Sequence, residues 1–94
     1  MSDIEVVHVP ERERYVIRVD GEDAGLTVAK EGEDGTLLFS HTEVKDEYEG
    51  QGLASRLVAG ALDDVRSRGK KIEVTCEYVT SFLEKHPEYQ DLVA

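Results

Sequence analysis

The first half of the chain is a series of short β-rich apolar runs broken by polar turns, and in the second half apolar residues recur every three or four positions. Ile4-Glu5-Val6-Val7-His8-Val9 is rich in β-branched residues and stops at Pro10, which has no amide proton to give a sheet. Arg14–Val19 reads the same way and ends at Asp20-Gly21, a strong turn dipeptide. Gly25–Lys30 alternates and runs into the turn cluster Glu31-Gly32-Glu33-Asp34-Gly35. Thr36–Val44 is a longer strand, and four strands with short turns predict an antiparallel meander. Beyond it the period changes. Leu53, Leu57, Val58, Ala61, Leu62 and Val65 mark an amphipathic helix with one buried face, stopped by Gly69. Lys70–Cys76 predicts a short strand, so strand, helix and strand form a parallel crossover. A shorter helix is expected over Val79–Lys85, ended by His86-Pro87, with one further turn over 88–93. The predicted class is α+β.

A chain of 94 residues has room for one domain, spanning 1–94, with one compact core. Twenty-one acidic against eleven basic residues give a net charge of −10. That balance argues against a general nucleic-acid binder and against docking on an anionic membrane. A single cysteine cannot close an internal disulfide, which points to a reducing, cytoplasmic setting. Met1-Ser2-Asp3-Ile4-Glu5 has neither the basic start nor the apolar stretch of a secretory signal. Three scattered histidines and one cysteine offer no metal-ligand spacing.

Chemistry concentrates in Thr42-Glu43-Val44-Lys45-Asp46-Glu47-Tyr48-Glu49-Gly50-Gln51-Gly52-Leu53-Ala54. This stretch joins a strand to a helix through Gly-x-Gly. Glycines admit positive φ and let an anion approach the backbone, while the helix start offers free N–H groups and a positive dipole end. The combination makes a pyrophosphate cradle. The same stretch is also compatible with a tight loop that holds no ligand. Ser55 stands where a dinucleotide fingerprint has its third glycine, and no Gly-Lys-Ser/Thr follows as in a P-loop.

Glu49-Gly50-Gln51-Gly52-Leu53-Ala54-Ser55-Arg56-Leu57-Val58, following a strand that ends Glu43-Val44, resembles the acyl-CoA motif of the GNAT superfamily of N-acetyltransferases. With Phe39–Val44, Cys76 and His86-Pro87-Glu88-Tyr89, the likeness spans roughly residues 15–92 and points to a minimal subgroup of about this length. It implies a GNAT-like fold: a four-stranded meander, a β-α-β crossover and a short C-terminal helix, with the fourth and fifth strands splayed. It also implies acetyl-CoA or CoA as cosubstrate. The pantetheine arm would pair with the strand edge near Glu43 and Val44. The amides of Gly50, Gln51, Gly52, Leu53, Ala54 and Ser55 would hold the pyrophosphate. Two departures matter. Glu47 replaces the usual Arg or Gln three residues before the first glycine, and Asp46, Glu47 and Glu49 put like charge beside a polyanion, so CoA binding is expected to be weak and salt-sensitive. Lys45, Arg56, Lys70 and Lys71 are the cations nearby in sequence.

Acyl transfer to an amine needs a base for the acceptor, a donor for the oxyanion and an acid for the departing thiolate. Many relatives place a tyrosine acid in the last helix; Leu83 stands there, leaving Tyr78 or Tyr89 as substitutes. Cys76 either carries the acyl group as a nucleophile or lines the pocket as a small hydrophobe. His41 and Glu43, two apart on a strand, share a face and are candidate bases; Phe39 is expected on the same face. The acidic residues form a solvated surface, or else attract a cationic acceptor such as a protein lysine, a protein N-terminus or a polyamine. Only Pro10-Glu11-Arg12-Glu13 joins the first two strands, which predicts an open acceptor site. A non-catalytic CoA-binding module and an acidic protein-interaction domain are the competing readings. Oligomeric state has no sequence signal.

Overall fold

The computed structural model describes residues 3–94; Met1 and Ser2, the start of the segment read for a secretory signal, lie outside them. Five strands form one sheet in chain order: β1 (Ile4–Val9), β2 (Arg14–Val19), β3 (Glu22–Glu31), β4 (Leu37–Val44) and β5 (Ile72–Val74). The first four pair antiparallel and β5 joins β4 in parallel. Helix α1 (Leu53–Ser67) makes the crossover, and α2 (Glu77–Lys85) follows β5. Short 3-10 turns occupy Pro10–Arg12, Asp46–Tyr48 and Pro87–Leu92. No helix of the described residues is long and apolar enough to cross a membrane.

Local chemistry accounts for these elements. Asp20 and Gly21 both take positive φ (51° and 83°), the geometry of a two-residue hairpin turn whose twist suits the flanking strands. Gly69, at φ 69°, ends α1 as expected. The six apolar positions on the helical period of α1 are all buried. They pack with Tyr15, Ile17, Phe39, Ile72 and Val79 in one cluster that also takes in α2, so both helices cover the same sheet face. Gly60 lets α1 approach β1: a Cβ there would stand 2.8 Å from Val6 Cγ2.

Several boundaries differ from the sequence reading. β3 starts at Glu22 because Val19 pairs with Glu22 directly across the Asp20-Gly21 turn. β5 is only three residues long, since the amides of Thr75 and Cys76 both turn to the single carbonyl of Phe39 (3.0 and 3.2 Å). α2 begins two residues early, at Glu77.

A larger correction concerns β4. Thr27 faces Thr42 and Ala29 faces Phe39, so two steps along β3 match three along β4. The extra residue is a β-bulge at Ser40–His41, and it reverses the alternation. Phe39 is buried, yet Thr42 and Val44 now point to the helices, while His41 and Glu43 share the opposite, open face. Phe39 therefore does not share a face with His41.

Candidate functional site

Pairing between β4 and β5 covers only Leu37–Phe39 against Ile72–Val74. From Ser40 to Val44, β4 has no strand beside it on that side among the described residues. The chain turns away at Thr75 into α2, opening the expected splay. Cys76 sits at the start of α2 against this gap, buried, and its thiol donates to Thr42 Oγ1 at 3.5 Å. The Thr42 hydroxyl also hydrogen-bonds that of Thr27 (2.8 Å), which is fully buried.

Below the splay lies a cleft of about 260 Å³ between the end of β4, the Gly50–Ser55 turn and Tyr78. Gly50 and Gly52 hold positive φ (80° and 70°) with open space where a Cβ would project, so glycine is needed there for backbone conformation rather than for room. Among the described residues no side chain caps α1, and the first bond at its start runs from Arg56 N to Gly52 O (3.3 Å). The amides of Leu53, Ala54 and Ser55 therefore face the cleft mouth as free donors, at the positive end of a 15-residue helix. Leu53 supplies its amide alone, since its side chain is in the core; Gln51 is exposed and does not line the cleft.

The flanking charges sort by side. Of the three carboxylates, only Glu49 lines this cleft; Asp46 and Glu47 line a second concavity on the open sheet face. Lys45 also lies there, and Lys70 and Lys71 are engaged by Glu31 (3.4 Å) and by the Asp91 carbonyl (2.7 Å). Arg56 is left as the cation beside the helix start.

Two aromatic residues complete the cleft. Tyr48 reaches back to Glu22 (Oη to Oε2, 3.2 Å) and ties the 46–48 turn to β3. Tyr78, 40% exposed, stands in the first turn of α2. Burial pushes its phenol up, partly offset by hydrogen bonding with Ser55, so it holds its proton. Tyr89 is elsewhere, donating to Asp63 at 2.8 Å and pushed up to about 12 by burial and that bond. Leu83 is buried in the core. The sequence marked Tyr78 only as one of two substitutes. Tyr48 carried a signal too, as the sole aromatic in a run of charged residues.

On the open face, the second concavity measures about 980 Å³ and runs over β2 and β3 to the end of β4. The two concavities share Glu43 and Val44, where they meet. His41 Nε2 and Glu43 Oε2 lie 3.4 Å apart on this side, both more than half exposed. The structure thus brings His41 and Glu43 together and sets Cys76 across β4 from them.

An antiparallel meander, a splayed parallel crossover and a glycine turn at the crossover helix define an acyl-CoA N-acyltransferase fold. Over the whole chain it superposes on 91% of a GCN5-like protein from Staphylococcus aureus solved by NMR, with a TM-score of 0.72 at 24% identity. It also matches 62% of a ribosomal-protein-alanine N-acetyltransferase from Brucella melitensis, with 86% of this chain covered, a TM-score of 0.55 and 21% identity. Residues 14–92 match the GCN5-related N-acetyl-transferase family. Protein NATD1 of Xenopus tropicalis is 30% identical over 92% of this chain and 80% of its own length. Protein NATD1 of Bos taurus is 32% identical over 89% and 75%. The chain belongs to the GCN5-related N-acetyltransferase family.

Proposed function

We propose that this protein transfers an acyl group, acetyl in the first instance, from a CoA thioester to an amine. The observation that carries the reading is the junction at Glu43–Val44. There a cleft floored by uncommitted helix amides opens into a concavity on the other face of the same strand. The CoA thioester, when bound, supplies an activated acyl carbon and a thiolate leaving group.

The chain's own residues then divide the work. Amides of Gly50 and of Gly52–Ser55 hold the diphosphate, and the unpaired edge of β4 at Thr42–Val44 pairs with the pantetheine amides as an added strand would. A main-chain N–H on that edge receives the developing oxyanion. Glu43, directly or through water, takes the proton the acceptor nitrogen loses as its bond to the acyl carbon forms; His41 holds the carboxylate in place. Tyr78 gives its proton to the sulfur as the carbon–sulfur bond breaks. Cys76 has a hydroxyl partner rather than a base and lies away from His41 and Glu43, which favours direct transfer with the thiol as a wall.

Leu83 in the core, where relatives carry their acid, favours a second reading: a CoA-binding module without turnover. Thermal melts with CoA and acetyl-CoA, alongside thiol release with varied amines, separate the two. Both readings expect a raised melting midpoint, because a ligand that binds only the native state must stabilise it. Transfer further expects amine-dependent CoA release that falls roughly 100-fold or more in Tyr78→Phe. An unmoved midpoint at millimolar ligand sinks both and leaves an acidic interaction domain.

A further inference from the structure

Strand register places the concavity on the open face in order. Val7, Val16, Leu26 and Glu43 are cross-strand partners in one row, and Val9, Arg14 and Val28 form the next. Val16 and Leu26 form its apolar floor. Its charges are not mixed at random. At the β4 end, Glu43, Asp46 and Glu47 outnumber Lys45; at the far end, Arg12 and Arg14 outnumber Glu11; Arg18, as far from the Glu43 row as Arg14 but on its other side, is neutralised by Asp23 at 2.8 Å. Arg14 is half-buried, and its Nε donates to the Arg12 carbonyl at 3.1 Å. Among the described residues no carboxylate pairs with Arg14, so its two terminal amino groups present an unanswered planar fork to the groove.

We infer that this groove selects a peptidyl amine carrying an acidic residue about three positions away, the amine lying at Glu43 and the acid at Arg14. This rests on the transferase reading above and names its acceptor class. The amine must sit at the negative end, because only there does the groove meet the cleft that would hold the thioester. Glu43 and Val16 are two strand spacings apart and Arg14 lies two residues further along β2, so the two anchors are roughly 12 Å apart, which an extended peptide covers in about three to four residues. The groove volume exceeds what a free amino acid fills, while its apolar floor suits the intervening residues. A polyamine, cationic along its whole length, has the wrong sign for the Arg14 end, so the groove discriminates by repulsion as well as by attraction.

Three N-acetylated, C-amidated peptides test this: Lys-Gly-Gly-Glu, Lys-Gly-Gly-Gln and Lys-Gly-Gly-Arg, each with one acceptor amine. They are followed by mass spectrometry with acetyl-CoA, and by nitrogen-15 NMR of the protein with CoA present. The expected order of kcat/KM is Glu above Gln above Arg, with about tenfold between the extremes. Peptide binding should shift the amides of Val16 and Leu26. Arg14→Glu should invert the order and Arg14→Lys should restore it in part, each variant being checked for an unchanged melting midpoint. If Arg14→Glu does not fold, the Arg14→Lys and Arg14→Gln pair gives the same comparison. Equal transfer to all three peptides, or no shift at Val16 and Leu26, overturns the inference and leaves the transferase reading standing. Glu-selective shifts that depend on Arg14, without transfer to any peptide, support the groove and remove the transferase reading.

Discussion

Cys76 Sγ lies 3.5 Å from Thr42 Oγ1, across the opening where β5 leaves β4, and on the opposite side of β4 from Glu43. A thiol whose polar neighbour is a hydroxyl has a hydrogen-bond acceptor but no base to take its proton, so it is poorly placed to attack a thioester. Cys76→Ala should retain turnover within about threefold and cost about 1 kcal/mol of stability from the lost packing of a buried sulfur. Intact-mass measurement after incubation with acetyl-CoA should show no acyl-enzyme. Abolished turnover in a folded Cys76→Ala protein, together with an acetyl adduct on the wild type, would establish the two-step route instead.

Gly25 controls the reactive edge from behind. A Cβ there would lie 2.7 Å from the Glu43 carbonyl oxygen and 3.0 Å from Val44 Cγ2, and the first of these is backbone that cannot rotate away. Gly25→Ala must push β4 outward at the junction of the two concavities, at a stability cost of about 1–3 kcal/mol. Gly60→Ala meets Val6 at a similar distance but far along the sheet from the cleft. The two variants should therefore separate. Both lower the melting midpoint, whereas kcat/KM for acetyl-CoA falls about tenfold or more only in Gly25→Ala. Equal kinetic loss in both would mean that β4 geometry is not what the reaction depends on.

The meander and crossover were legible because their signals are local and redundant. Asp20-Gly21 can do little but turn a hairpin, and the 3.6-residue period of Leu53–Val65 survives at every position. The glycine turn was legible for the same reason. The side-chain directions of the site were not. A bulge at Ser40–His41 is a property of the pair β3–β4, set by which residues face one another, and no residue in either strand announces it. Strict alternation therefore put Phe39 with His41, and concealed that Thr42, not Glu43, faces Cys76. The carboxylates of 46–49 look alike in sequence, yet the 3-10 turn sends Asp46 and Glu47 to one concavity and Glu49 to the other.

Tyr15 and Asp64 make the fold sensitive to pH at both extremes. Tyr15 Oη and Arg68 Nε each donate to Asp64 Oδ2 at 2.6 Å. Burial first, then the Asp64 bond, push the phenol far above its usual range. For Asp64, burial pulls upward, but the bonds from Tyr15 and Arg68 outweigh it and leave the carboxyl below its ordinary value. A raised folded pKa gives stability that is present below about pH 10 and lost as pH rises beyond it. A depressed one gives stability present above about pH 4 and lost as pH falls below it. Tyr15→Phe should cost about 1–2 kcal/mol at neutral pH and flatten the alkaline limb, leaving the smaller shares due to Tyr89, Tyr78 and Tyr48. Urea melts across pH 3–11 measure both limbs; an alkaline limb unchanged by Tyr15→Phe would assign it to other groups.

Glu49 sets the strength of cosubstrate binding. It is the one loop carboxylate lining the cleft under the free amides of α1, where a diphosphate would bring two further negative charges. At about 8 Å in water a like-charge pair costs about 0.5 kcal/mol, and salt near 0.15 M, with a Debye length of about 8 Å, removes much of it. Glu49→Gln, removing two such pairs, should therefore tighten CoA roughly fivefold at low ionic strength, with the gain fading as salt rises. Glu47→Gln, on the other concavity, should leave CoA affinity nearly unchanged and instead weaken a cationic acceptor. Titration calorimetry of wild type and both variants at two salt concentrations decides the matter. The side assignment fails if the two variants change CoA affinity equally, because a field common to the whole acidic surface would then be acting in place of one carboxylate at the cleft mouth.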